Sequence, residues 1–205
     1  MEKTDNFKKH THRNPIQRLL LWNFFRNLVN LISKRKVESI LDVGCGEGFT
    51  LNRLKEKGIG KNLEGVEHSK DAIELGRKIY PQIKIKQGDI YNLPYEDNAF
   101  DLVLCTEVLE HLDEPEKALK ELIRISNRYL AISVPNEPFF MLAQFVRGKN
   151  WSRLGNDIVH INHWTMFGFP KFIKQTFKRL PTGRQVKILA KRFAFAWIML
   201  LLEKS

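Results

Sequence analysis

The sequence predicts an α/β domain: a doubly wound, mostly parallel sheet, preceded by an N-terminal helix and closed by an antiparallel terminal strand. Three observations carry this expectation. From residue 38 onward, short apolar runs alternate with amphipathic helical spacing. A glycine-rich stretch, GCGEG at 44–48, lies where the first run meets the first helical pattern. The tail holds two β-capable runs, VKILAKRF and AWIMLLLE, with a short connection between them.

Taken in order, residues 1–13 read as frayed. Asn14-Pro15 offers an N-cap followed by proline at the first helical position. Apolar residues then recur at Ile16, Leu19, Leu20, Phe24, Leu28, Leu31 and Ile32, the spacing of a helix ending near Ser33. SILDV (39–43) reads as a strand and GFTLNRLKEKG (48–58) as a helix closed by Gly58. LEGVE (63–67) is a strand, and SKDAIELGRKIY (69–80) a helix capped by Ser69. IKIKQ (83–87) and FDLVLC (100–105) are strands, EPEKALKELIRI (114–125) a helix with Asp113 as N-cap, and RYLAISVP (128–135) a strand. Residues 138–165 are aromatic-rich and irregular, which suits a substrate-side insertion. Helical spacing returns over 166–180 before the terminal hairpin. The chain thus divides into an N-terminal extension (1–37), a core (38–137), the insertion, and a final helix with an edge hairpin (166–205).

Composition excludes several classes. A chain of 205 residues, 43% hydrophobic and 28% charged, can bury a core and is not disordered. The longest uncharged apolar run, FAFAWIMLLL at 193–202, has 10 residues, too few to span a bilayer. No apolar stretch follows the basic residues at the start, and Cys45 and Cys105 sit in core-like runs as small hydrophobes. A cytoplasmic protein is expected. The net charge of +11 is uneven: residues 1–40 carry 9 Lys/Arg against 3 Asp/Glu, 41–140 carry 13 against 18, and 141–205 carry 12 against 2. Basic flanks around an acidic body suit a phosphate-bearing partner or an anionic membrane surface. A merely solvated basic surface accounts for them equally well.

The glycine loop carries the first functional signal. In an open parallel sheet, ligands bind beyond the carboxyl ends of the strands. A dinucleotide fingerprint would read G-x-G-x-x-G, whereas Gly44-Cys45-Gly46-Glu47-Gly48-Phe49 places phenylalanine at the third glycine. Asp42 and Glu47 would also repel a pyrophosphate, so a zwitterionic ligand with an ammonium group fits better. Glu67 ends the second strand, where a carboxylate can accept both hydroxyls of a ribose. Asp89 ends the third, placed to accept from an adenine amino group, with Ile90 packing on the base.

With ILDVGCGEG, GVEHS, GDIYNLPYEDNAFDLVLCTEVLEHL and AISVPNE in view, residues 38–137 resemble the class I S-adenosylmethionine-dependent methyltransferases, in the broad group that includes ubiquinone- and menaquinone-pathway enzymes. The resemblance implies a Rossmann-like, seven-stranded sheet whose last strand is antiparallel. It implies that Asp42, Gly44 and Gly46 lie along the methionine portion of S-adenosylmethionine with Cys45 beside them. Glu67 and neighbouring His68 would bind ribose, Asp89 and Ile90 adenine, and Cys105 and Thr106 would face the sulfonium. It says little of the acceptor, since such domains share a cofactor half and vary the rest.

CTEVLEHLDEP (105–115) follows the fourth strand. If it turns helical at once, Glu107, Glu110 and His111 point to one face. Three readings stand. The residues could hold a divalent metal such as Mg²⁺, with a further ligand from VHINHWT, which supplies His160 and His163. The E-x-x-E-H pattern with a distant histidine resembles metal-dependent O-methyltransferases of ubiquinone synthesis and small-RNA 2′-O-methyltransferases; the former favours His163, followed by Trp164. Alternatively His111 or His163 is a metal-free general base oriented by a glutamate, or the polar residues only cap and tie loops. Trp151, Trp164, Phe139 and Phe140 could line an aromatic or isoprenoid pocket, or simply pack. The expectation is methyl transfer to a small-molecule or lipid-linked acceptor, at oxygen, with peripheral contact to an anionic membrane. The rivals are an RNA methyltransferase, disfavoured because no RNA-binding motif is appended, and a non-catalytic cofactor-binding subunit. Oligomeric state is not legible.

Overall fold

The computed structural model describes residues 4–137, 139–146, 160–178 and 185–205. Trp151 and much of the expected insertion lie outside them. Helix α1 spans Asp5–Thr11 and α2 spans Pro15–Ile32. The Asn14 side chain accepts from the amides of Ile16 (2.8 Å) and Gln17 (3.3 Å), as the Asn-Pro start predicts. The core then runs β1 (Ser39–Val43), α3 (Phe49–Glu56), β2 (Asn62–Glu67), α4 (Lys70–Ile79), β3 (Lys84–Gln87) and β4 (Phe100–Thr106). A 3₁₀ turn at Leu109–His111 leads into α5 (Pro115–Ile125), β5 (Ser126–Pro135), α6 (Phe139–Val146), α7 (Gly168–Lys178), β6 (Val186–Phe193) and β7 (Trp197–Lys204).

The seven strands form one sheet in the order β3-β2-β1-β4-β5-β7-β6. β7 is antiparallel to both β5 and β6, so β6 runs the same way as the parallel strands. The order reverses beside β1, which opens a crevice at the strands' carboxyl ends. Alternating side chains feed the two faces. Val103 and Cys105 of β4 pack with α5 and α7, whereas Leu102 and Leu104 pack with the buried stripe of α2.

Two local expectations are corrected. Residues 5–11 are helical rather than frayed: Thr4 Oγ1 accepts from the Phe7 amide at 3.0 Å, and the helix lies against the sheet's crevice. The N-cap of α5 is Glu114, not Asp113; its side chain makes no capping hydrogen bond, and Pro115 takes the first helical position.

Lys204, at the end of β7, is buried, and its Nζ donates to Asn98 Oδ1 (2.6 Å) and the carbonyls of Ile123 (2.7 Å) and Ser126 (2.6 Å). A cation at the carboxyl end of α5 also meets the negative end of the helix dipole. Replacing it with Lys204→Met leaves those buried acceptors unpaired, so urea unfolding should show a loss of about 3 kcal/mol.

Candidate functional site

A cavity of about 850 Å³ opens at the carboxyl ends of β1, β2 and β4. The glycine loop forms its floor. Gly44 adopts φ +76°, and a Cβ there would meet Val108 Cγ2 at 2.3 Å; Gly46 adopts φ +55°, and a Cβ would meet Asn6 Nδ2 at 2.5 Å. Both positions therefore require glycine. Glu67 fixes the loop from β2: Oε2 accepts from the Gly46 amide (2.9 Å), and Oε1 from the amides of His68 and Ser69 (2.8 Å each). Three of its roughly four lone-pair sites are thus in use within the protein.

Asp42, Gly44, Cys45, Gly46, Glu67, His68, Asp89, Ile90 and Thr106 all line this cavity. Cys105 does not. It is fully buried, because strand alternation sends its side chain to the α5 and α7 face while Thr106 reaches the crevice. Asp42 is 1% exposed, and its Oδ1 has no partner within the described chain. Burial, helped by the nearby Glu67 charge, pushes its carboxyl up to about 8. Glu47 is also buried, but α1 compensates it: Thr4 Oγ1 and Asn6 Nδ2 donate to its two carboxylate oxygens.

The other end of the cavity holds the acidic turn after β4, and the expected helical face does not form. Glu107 has φ +59°, a left-handed residue before the 3₁₀ turn, so it leaves the face of Glu110 and His111. Its Oε2 accepts from Trp197 Nε1 at 2.6 Å and lies 3.9 Å from Lys9 Nζ; Ser133 Oγ donates to Oε1 at 3.4 Å. Glu110 is 1% exposed with neither carboxylate oxygen partnered. Burial, reinforced by Glu107, holds the Glu110 carboxyl well above the usual range, and burial also raises Glu107 against the pull of Lys9.

The distant histidine in this cluster is His160, not His163. Glu110, His111 and His160 offer ligand atoms within 4.8 Å of one another. Segment 160–164 is pinned by Ile161 and Asn162 amides donating to the Glu110 carbonyl (2.8 and 3.0 Å), and by Asn162 Nδ2 donating to Leu109 and Leu112 carbonyls. Exposure alternates along this extended run, turning His160 inward and leaving the His163 side chain 44% exposed. Both imidazole Nδ1 atoms face Glu137 Oε1, at 3.9 Å for His160 and 3.8 Å for His163.

Among the aromatic residues, Phe140 lines the cavity, Phe139 faces outward, and Trp164 packs on Phe169 and Phe172 in the core. The sequence reading missed Trp197, Phe24, Lys9 and Asn6 as lining residues. Phe24 and Trp197 meet edge-on at 5.2 Å, and only the tertiary docking of α2 on β7 brings them together.

This sheet order, with a glycine loop at β1 and an acidic residue ending β2, is that of the Rossmann-like methyltransferase fold. Residues 41–128 match the family model for a methyltransferase domain, an enzyme class that uses S-adenosylmethionine as methyl donor. Norajmaline N-methyltransferase of Rauvolfia serpentina is 34% identical over 108 residues, 50% of this chain and 36% of that protein. Demethylmenaquinone methyltransferase of Lactobacillus johnsonii is 28% identical over 155 residues, 66% of this chain and 62% of that one. A plantazolicin methyltransferase crystallised with S-adenosylhomocysteine shares the fold, with a TM-score of 0.71 at 18% identity over 98% of this chain and 89% of that one. The chain spans about a third of the length of Norajmaline N-methyltransferase.

Asp42 supplies a pH test. A carboxyl raised from 3.8 to about 8 favours the folded state fully below the lower value, and that contribution is lost as pH rises toward the upper one. Asp42→Asn should raise the melting temperature at about pH 8 and leave it nearly unchanged below about pH 3, where aspartate is largely neutral in both states.

Proposed function

We propose that the chain transfers the methyl group of S-adenosylmethionine to the oxygen of a small-molecule or lipid-linked acceptor held beside Glu110, His111 and His160. The carrying observation is the Glu110 carboxylate: buried, without a partner among the described residues, and grouped with two imidazoles in the cavity that also contains the glycine loop. In this reading Asp42 receives the methionine ammonium, which explains a buried acid with an open oxygen. Glu67 offers its remaining lone pair to ribose, with His68 alongside. Asp89 and Ile90 take the adenine.

Methyl transfer from a sulfonium requires in-line alignment more than chemical activation. The acceptor oxygen gives its electron pair to the methyl carbon, the carbon–sulfur bond breaks, and the acceptor proton must leave. His111 and His160 stand where such a proton can be taken, and Glu110 can orient an imidazole or hold the resulting charge. Glu107, tied to Trp197 and Lys9, shapes the wall between donor and acceptor.

The same group has the donor set for a divalent ion such as Mg²⁺ or Mn²⁺: one carboxylate, two imidazoles, and two carboxylate oxygens with no other partner. Glu110, His111 and His160 would hold it, with His163 one step outside and linked through Glu137. Such an ion would lower the pKa of a bound hydroxyl.

Calorimetry with S-adenosylhomocysteine and transfer of labelled methyl groups into extracted lipids and small metabolites test this reading. Glu67→Ala should weaken cofactor binding at least ~10-fold. Glu110→Gln should leave cofactor binding within about 2-fold while lowering transfer by roughly 100-fold. Mn²⁺ binding seen by electron paramagnetic resonance, lost in His160→Ala but kept in His163→Ala, would support the ion. Full transfer by Glu110→Gln would overturn the acceptor assignment, and cofactor binding with no transfer into any fraction would favour the idle-subunit rival.

A further inference from the structure

The large apolar side chains that the described residues expose are Ile16, Leu19, Trp22, Phe139, Leu142, Ile161, Phe167, Phe193 and Phe195. None lies in the acidic core from 38 to 137. All fall on the two basic flanks, where apolar exposure and positive charge coincide. Residues 12–37 contain no Asp or Glu, and among the described residues from 139 onward Glu203 alone is acidic, paired with Arg128 at 3.0 Å.

Three of the elements carrying these residues pack together. α2, α6 and the β6–β7 turn share one core cluster through Leu21, Phe24, Ala143, Ala194, Ala196 and Trp197. The Asn136 amide donates to the Ala196 carbonyl at 2.8 Å, and the rings of Phe139 and Phe195 lie 6.0 Å apart. Leu20 and Phe140, from the same two helices, line the cavity. On α2, Leu19 and Trp22 are 62% and 53% exposed on the side away from the core, with the Arg26 guanidinium 4.4 Å from the Trp22 ring centre. β6, the sheet's outer strand, adds exposed Lys187 and Arg192 on the α2 face.

We infer that this surface is a docking face for an anionic lipid bilayer. Leu19, Trp22, Phe139 and Phe195 enter the headgroup boundary, while Arg18, Arg26 and the β6 cations meet lipid phosphates. An aromatic apolar group combined with cations is the pattern of interfacial binding, whereas a soluble polyanion would call for the cations but not for exposed Leu19, Trp22 and Phe139 beside them. No described helix is long and apolar enough to cross a membrane, so the contact is peripheral. Docking stands independently of the acceptor atom. Its purpose, bringing a lipid-soluble acceptor to a cavity bordered by Leu20 and Phe140, rests on the reading above.

Co-sedimentation with vesicles of phosphatidylcholine alone, or mixed with phosphatidylglycerol, tests it. The chain should pellet with the mixed vesicles only, and less so as salt is added. A Leu19→Ser, Trp22→Ser pair, outside the cavity, should cut vesicle binding at least ~10-fold with S-adenosylhomocysteine affinity unchanged. Phe195→Ser provides a second variant should the pair not fold. Absence from anionic vesicles would overturn the inference. So would a concentration-dependent dimer abolished by the same substitutions, or RNA binding that they leave intact while vesicles fail to compete. Because cofactor affinity is read on the same samples, failure of docking is distinguishable from failure of the methyltransferase reading.

Discussion

Of the acidic residues that line the cavity, five are buried or partly buried, and the cost of burying their charge constrains everything around them. Three are compensated from within. Glu67 takes three backbone amides and thereby fixes the glycine loop. Glu47 takes the side chains of Thr4 and Asn6, which is why the first helix lies over the loop. Glu107 takes the indole of Trp197 with Lys9 nearby, which links the turn after β4 to the last strand. Among the described residues, Asp42 retains one buried oxygen without a partner and Glu110 two. A methyl donor with an ammonium at one end, and an acceptor or cation at the other, would complete the pattern. The site is thus divided by which acids the protein neutralises and which it leaves for ligands.

The alternation of helical and strand periodicity was legible because it is local. Asn14-Pro15, Ser69 and Gly58 mark element ends through effects confined to one turn. What escaped the sequence depends on distant partners. Helix α1 is short and polar, and it is held by a carboxylate 41 to 43 residues away. Cys105 and His163 were expected in the site, and each is displaced by side-chain alternation along an extended segment. Glu107 was expected on a helical face, but the chain takes a left-handed residue before the 3₁₀ turn, and an i, i+3, i+4 spacing has no meaning across such a break.

The likeness to known proteins follows the same division. The matched family segment, 41–128, contains the glycine loop, Glu67, Asp89 and the acidic turn. His160, Trp197, Lys9, Phe24 and Phe140 lie outside it. The glycine-loop side of the cavity thus lies within the matched segment, whereas much of the wall around His160 comes from residues beyond it. An N-methyltransferase and a quinone methyltransferase can both resemble it without deciding what it methylates.

Strand β7 makes this arrangement depend on the last of the described elements. Although it comes after every other element, it lies inside the sheet between β5 and β6. It begins with the indole that holds Glu107 and ends with the ammonium that caps α5. Premature termination before residue 197 would therefore not trim an edge. It would split the sheet, leave Glu107 without its indole donor and leave β6 without a neighbour, so loss of this one strand would damage the sheet and the cavity wall together.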